Sequence, residues 1–280
     1  MSPSQKIPEQ IAAAAKANAA TYLATIPPGI RDLARSILEE YSGIAPEDVD
    51  AHIYYIRDKA WAIFPYGCVG SFSFLNLQPT TQDARFQSVA ARLQAPGSAE
   101  TFLDVGCCLG TVIRHLVADL GVSSDRLYGT DLQPHFLDLG YELFRDRDPG
   151  KSRATFVAGD MLRDGNDNDA GGLDHQLAGK IDVIYAAFFF HLFERGDQLR
   201  AAKRMVKFLR PRNPDAMIFG QNGGPRIPGW EKYVLDEEAW RDLWDEVGEA
   251  TGTAWRTEME TTEDSKERIM VRFGVYRVVV

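Results

Sequence analysis

From residue 101 to residue 220 the chain alternates short apolar runs with helix-patterned stretches. That alternation limits its fold more than any other feature. Residues 101–105, 127–130, 155–158, 181–187 and 216–220 are predicted strands; 111–120, 134–145 and 197–209 are predicted helices. Strands covered on both faces read as solid apolar runs, and parallel neighbours need a crossover between them, so the pattern predicts a parallel α/β sheet. The C-terminal region departs from it. A helix over 237–251, with Trp240, Leu243, Trp244 and Val247 on one face, precedes consecutive strands at 253–261 and 268–279. Two strands with no helix between them can pair as a hairpin. The expected fold is therefore a mostly parallel sheet closed by an antiparallel C-terminal hairpin.

The first 80 residues have a different texture. Residues 12–24 are alanine-rich and helix-prone, and Pro27-Pro28-Gly29 stops them. Ile30, Leu33, Ala34, Ile37, Leu38 and Tyr41 recur at helical spacing, as do Val49, Ile53, Ile56, Ala60 and Ile63 within 46–64. Too thin in core to stand alone, residues 1–80 are read as a helical lid or extension on a domain spanning 81–280. Residues 163–172, dense in Asp, Asn and Gly, are expected to form an exposed loop.

Charge and cysteine usage narrow the partners. The 31 Lys and Arg against 40 Asp and Glu give a net charge of −9, with no local basic patch, which disfavours nucleic acid and anionic membrane surfaces. Cys68, Cys107 and Cys108 make no disulfide framework and no zinc-like spacing, so no metal is expected and the compartment reads as reducing. The apolar run 183–193 is interrupted by His191 and too short to cross a bilayer. No apolar leader is visible, so the expected location is the cytoplasm, without membrane insertion.

The most informative segment is Leu103-Asp104-Val105-Gly106-Cys107-Cys108-Leu109-Gly110-Thr111, a glycine turn between the first strand and its helix. A dinucleotide loop requires glycine at 106, 108 and 111, and only the first is present. The S-adenosylmethionine (SAM) loop, acidic-x-Gly-x-Gly-x-Gly, keeps Asp104, Gly106 and Gly110 and loses only its middle glycine, to Cys108. Asp131 ends the second strand, where a carboxylate can accept from ribose hydroxyls; a helix cap before Pro134 is the competing reading. Gly159-Asp160-Met161 ends the third strand, where a carboxylate and an apolar neighbour could hold adenine, against a solvated turn. Such sheets bind ligands at the carboxyl ends of their strands, where all three features fall. Beyond the fourth strand, Phe188, Phe189 and Phe190 could wall an apolar substrate, with Phe189 favoured as core. His191 is a candidate base, a substrate contact or a structural histidine.

On these residues the chain resembles class I SAM-dependent methyltransferases. More narrowly, it resembles the small fungal methyltransferases of terpenoid and meroterpenoid pathways. The resemblance rests on Gly70-Ser71-Phe72-Ser73-Phe74-Leu75, the run 102–110, Leu127-Tyr128-Gly129-Thr130-Asp131-Leu132-Gln133-Pro134, the run 139–147 and His191-Leu192-Phe193. It implies a Rossmann-like methyltransferase sheet with SAM as cofactor, contacted by Asp104, Gly106, Asp131, Asp160 and Met161. The adjoining Cys107, Gly110, Leu132, Gly159 and Ala187 are expected at the same surface. It further implies O-methylation of a carboxylate or hydroxyl on a small hydrophobic terpenoid or meroterpenoid. The alternative is a cyclisation or rearrangement on the same fold without net methylation. For methyl transfer His191 is the candidate at the catalytic position, Tyr54, Tyr66, Phe188 and Phe190 would line the substrate, and Arg226 could pair with a substrate carboxylate, against the competing reading of a solvated loop arginine. Relatives often carry a basic residue where Ser71 and Ser73 stand, which bears on the acceptor.

Overall fold

Seven strands form one sheet in the computed structural model, which describes residues 11–163, 172–225, 234–265 and 268–279. They are β1 (Phe102–Val105), β2 (Leu127–Asp131), β3 (Thr155–Ala158), β4 (Val183–Tyr185), β5 (Met217–Pro225), β6 (Ala254–Ser265) and β7 (Arg268–Val278), in the order β3-β2-β1-β4-β5-β7-β6. The first five are parallel; β7 runs antiparallel between β5 and β6. The expected α/β architecture with its antiparallel hairpin is thus the one observed. The strand order reverses between β1 and β4, which opens a crevice at their carboxyl ends.

The longer helices are α1 (Val49–Ile63), α2 (Ala84–Gln94), α3 (Thr111–Ala118), α4 (Pro134–Phe144), α5 (Arg195–Phe208) and α6 (Glu237–Thr251). Helix α2 adds to the expected elements: Phe86, Val89, Ala90 and Leu93 are buried at spacings of three and four. The alanine-rich N-terminal stretch is helical only to residue 17 and then tightens into a 3₁₀ turn at Ala19–Thr21. β5 corrects a second expectation. Residues 221–225, beyond the expected strand end at 220, continue the strand because Arg268–Arg272 of β7 pair with them. Glycine and asparagine are poor strand formers, and here the partner's ladder overrides that preference.

Backbone proximity divides the chain into two compact units. The first takes the described part of Met1–Ala90 together with Cys107–Asp125 and Gln133–Ala154. In its core, Ile53, Ile56 and Ala60 of α1 join Phe136, Leu139 and Leu143 of α4. Lys59 Nζ reaches Glu142 at 2.6 Å on the rim of that packing. The second unit takes Ala91–Gly106, Arg126–Leu132 and Thr155–Val280, and so holds the whole sheet. Its core combines Leu103, Val105, Ile184 and Ile218 of the sheet with Ala201 and Met205 of α5 and Trp240, Leu243 and Trp244 of α6. No helix among the described residues is long and apolar enough to cross a membrane.

Candidate functional site

Parallel register brings the strand ends of the second unit into line. Val105 pairs with Thr130 and Asp131 with Ala158, while Asp104 pairs with Tyr185. The Gly106 amide then donates to Thr130 O at 2.8 Å, and the Gly159 amide to Asp131 O at 2.9 Å. Asp104, Gly106, Asp131, Leu132, Gly159, Asp160, Met161 and Ala187 therefore all fall at or just before the carboxyl edge of the sheet. Gly106 has φ +73°, and a Cβ there would lie 3.1 Å from the Phe189 ring. A side chain at this turn would meet both a strained backbone and the core.

The three carboxylates are not equivalent. Asp104 is 4% exposed, and no hydrogen bond acts on its carboxyl among the described residues. Burial first, and the nearby Asp131 charge second, push its carboxyl up to about 8. Asp131 is half-buried. The reading of Asp131 as a helix cap is corrected: the residue at the N-cap of α4 is Gln133, without a side-chain bond to the helix. Asp160 is exposed, and one of its oxygens accepts from the Leu162 amide at 2.9 Å, so it also forms the turn that was its competing reading. Leu132 is 53% exposed beside Asp131, while Met161 is buried.

Beyond β4 the three phenylalanines separate. The ladder runs on past Tyr185, with the Ala186 amide donating to Phe219 O and the Phe188 amide to Gln221 O at 2.6 Å. Phe188 then adopts φ +52°, which costs a bulky residue on the order of 1–3 kcal/mol. The turn leaves its ring 39% exposed. Phe189 is core, as expected. Phe190 is a correction: fully buried, it packs edge-on against Trp240 at 5.1 Å and Phe273 at 5.8 Å, so it is a core residue and does not line the edge. The 3₁₀ turn Phe190–Leu192 carries its first side chain into the core and leaves His191 half-buried and Leu192 exposed. His191, on that turn, accepts at Nδ1 from the Gly223 amide at 3.4 Å, and its ring lies 5.7 Å from Phe188. With Nδ1 an acceptor, the neutral ring carries its proton on Nε2.

The first unit holds the remaining positions. Cys107 and Gly110 lie on the loop that opens α3, with the Gly110 amide donating to Cys107 O at 2.7 Å. Cys108 has φ +53° and Gly110 φ +71°, so residues 106, 108 and 110 are all left-handed, as a Gly-x-Gly-x-Gly loop would be. Thr111 follows with its hydroxyl buried and unpartnered. Tyr54 packs edge-on against Phe72 and accepts from the Ile26 amide at 3.3 Å, and Tyr66 packs on Phe64 and Phe136. Arg226 and residues 164–171 of the Asp-rich stretch lie outside the described residues. What the sequence reading missed is the buried Arg114–Asp146 pair beneath the 107–110 loop. In the sequence Asp146 is only one member of the run 139–147, with nothing local to tie it to Arg114.

Comparison with known proteins adds a consistent picture. Residues 21–75 match the family described as "Meroterpenoid methyltransferase N-terminal domain", and residues 103–214 match "Methyltransferase domain". The chain is 40% identical over 240 residues to O-methyltransferase phiE from Fungal sp. (strain ATCC 74256), covering 83% of this chain and 76% of that one. It is 38% identical over 232 residues to Asnovolin E/Chermesin D methyltransferase nvfJ from Aspergillus novofumigatus, covering 80% and 79%.

Proposed function

This chain belongs to the SAM-dependent methyltransferases of fungal natural-product pathways, and from that membership we propose that it methylates a carboxylate or hydroxyl oxygen of a terpenoid or meroterpenoid acid. The residues at the strand ends fit the cofactor. Ionised carboxylates only accept hydrogen bonds, and SAM offers an ammonium, a sulfonium, ribose hydroxyls and an exocyclic amine. In this reading Asp131 accepts from the ribose hydroxyls, and Leu132 and Met161 flank the adenine, whose amine Asp160 receives. Asp104 and Gly106 would hold the methionine half, beside Ala187, and Cys107 and Gly110 would continue the same glycine turn along the chain. When bound, SAM would supply a methyl group activated for transfer to the acceptor oxygen, its sulfonium sulfur keeping the electron pair of the carbon–sulfur bond as the leaving group.

The observation that supports the acceptor side is the His191 arrangement. Its Nδ1 is occupied by the Gly223 amide, which leaves Nε2–H as a donor rather than a base. A donor suits an oxygen that arrives already ionised, and a carboxylate needs no base. His191 then orients the acceptor, and the exposed Phe188 ring offers apolar surface to its hydrocarbon body. Two relatives inform this reading by name, one an O-methyltransferase and one a methyltransferase of asnovolin E and chermesin D.

The test is incubation with SAM and a panel of prenylated aromatic carboxylic acids, beside the matching primary alcohols, with products weighed by mass spectrometry. The acids are expected to gain one methyl. A product of unchanged mass would favour cyclisation or rearrangement instead, and methylation confined to carbon would remove the oxygen assignment.

A further inference from the structure

The loop before α3 contains a cysteine in a conformation that suits glycine. Cys108 holds φ +53° between Gly106 and Gly110, and a residue with a Cβ is strained there. Such a conformation persists only where its surroundings over-determine it.

The first unit supplies those surroundings. Arg114, one turn into α3 and almost fully buried, donates from Nη1 to Leu109 O at 3.1 Å and Gly110 O at 3.4 Å. These are the two carbonyls that follow Cys108. Its Nε and Nη2 donate to the two oxygens of Asp146 at 2.9 and 3.0 Å, and the Tyr41 hydroxyl donates to the same carboxylate at 3.1 Å. Arg145, with φ +50°, ends α4 in a left-handed turn just before this inward-facing Asp146. Gly140 of α4 completes the brace. A Cβ at that position would overlap the Leu109 carbonyl oxygen and approach Arg114 Nη1 at 3.3 Å.

A buried ion pair is weak evidence of stabilisation, because desolvating two charges offsets much of their attraction. This pair does something more specific. The guanidinium spends one edge on Asp146 and aims its remaining nitrogen at the loop backbone, which only a planar, forked donor can do. We infer that Arg114, anchored by Asp146, is a positioning residue for the 107–110 loop and compensates for the cysteine at its second glycine position. The inference rests on the reading that this loop holds SAM.

The test compares wild type with Arg114→Lys and Gly140→Ala, each also in a Cys108→Gly background. Lysine keeps the charge beside Asp146 but cannot reach both carboxylate and carbonyls. The Arg114→Lys variant is expected to raise Kd and KM for SAM about tenfold, the worth of roughly one charge-assisted hydrogen bond. Its kcat should fall less than threefold. Hydrogen exchange at the Gly110 amide, measured without cofactor, should quicken about tenfold. In the Cys108→Gly background, where the loop is no longer strained, each loss should shrink to threefold or less. Gly140→Ala, a substitution otherwise favourable in a helix, should reproduce the pattern and stands in if Arg114→Lys fails to fold. Equal losses in both backgrounds, or a lowered melting temperature with unaltered SAM affinity and amide exchange, would overturn the assignment. A wild type that binds no SAM would instead refute the functional reading, while amide exchange would still report on the brace.

Discussion

Asp104 makes the sharpest prediction. Its carboxyl is pushed from 3.8 up to about 8, chiefly by burial and then by the Asp131 charge. At pH 7 the cofactor-free protein therefore favours the protonated carboxyl. The folded state binds this proton more tightly than the unfolded state, where the group titrates near 3.8. Between those two values the folded chain holds more protons, so stability falls as pH rises, by up to ~1.4 kcal/mol per pH unit. Below pH 3.8 both states are protonated, and above about 8 both are ionised, so the slope vanishes outside that window. Asp104→Asn retains the shape and removes the titration. Subtracting the two proteins' pH profiles cancels most other groups, and the difference should move in the variant's favour by roughly 2 kcal/mol from pH 6 to pH 8. For a chain of this size that is a relative gain of about 4 °C in melting temperature, readable by circular dichroism. The cationic cofactor should favour the ionised form. Calorimetry is then expected to show SAM affinity in the wild type rising severalfold from pH 6 to pH 8, and proton release on binding. Parallel melting profiles for wild type and Asn variant would show that Asp104 is already ionised in the folded protein, and the argument from burial would fail.

Other perturbations separate the remaining residues. Asp131→Ala is expected to weaken SAM binding at least tenfold with the far-ultraviolet spectrum retained; unchanged affinity in a calorimetric titration would remove it from the ribose. Phe190→Ala opens a cavity among Trp240 and Phe273 and should cost about 3–5 kcal/mol in denaturant unfolding. Phe188→Gly relieves a left-handed backbone, so its stability should change by less than ~1 kcal/mol while KM for the acceptor rises. For His191, Gln should retain more rate than Ala if the residue donates to the acceptor oxygen. Equal losses in steady-state kinetics, with a pH–rate profile that loses its lower limb, would assign it as a base instead.

What could be read ahead of the structure was local. Apolar runs of strand length, helical periodicity between them and acidic residues closing successive strands are properties of neighbouring positions. From them followed the sheet, its hairpin and the alignment of Asp104, Asp131 and Asp160 at one edge. In a parallel sheet, strand ends fall together by register alone. The resemblance to methyltransferases rested on the same contiguous runs.

What the tertiary structure decided depends on groups far apart in sequence. β5 extends to Pro225 because β7 offers it hydrogen-bond partners, although Gly223, Gly224 and Pro225 on their own read as loop. Phe188 and Phe190 are alike in sequence, yet one is at the edge and the other in the core, since the backbone turn at 188 and the tryptophans of α6 sort them. The raised pKa of Asp104 follows from the packing that keeps water away and then from a carboxylate on a neighbouring strand. The bond between Arg114 and Asp146 spans 32 residues and ties α3 to the segment just past the end of α4. Periodicity records which residues face inward. It does not record which of them meet, and burial, charge coupling and strain are set by that meeting.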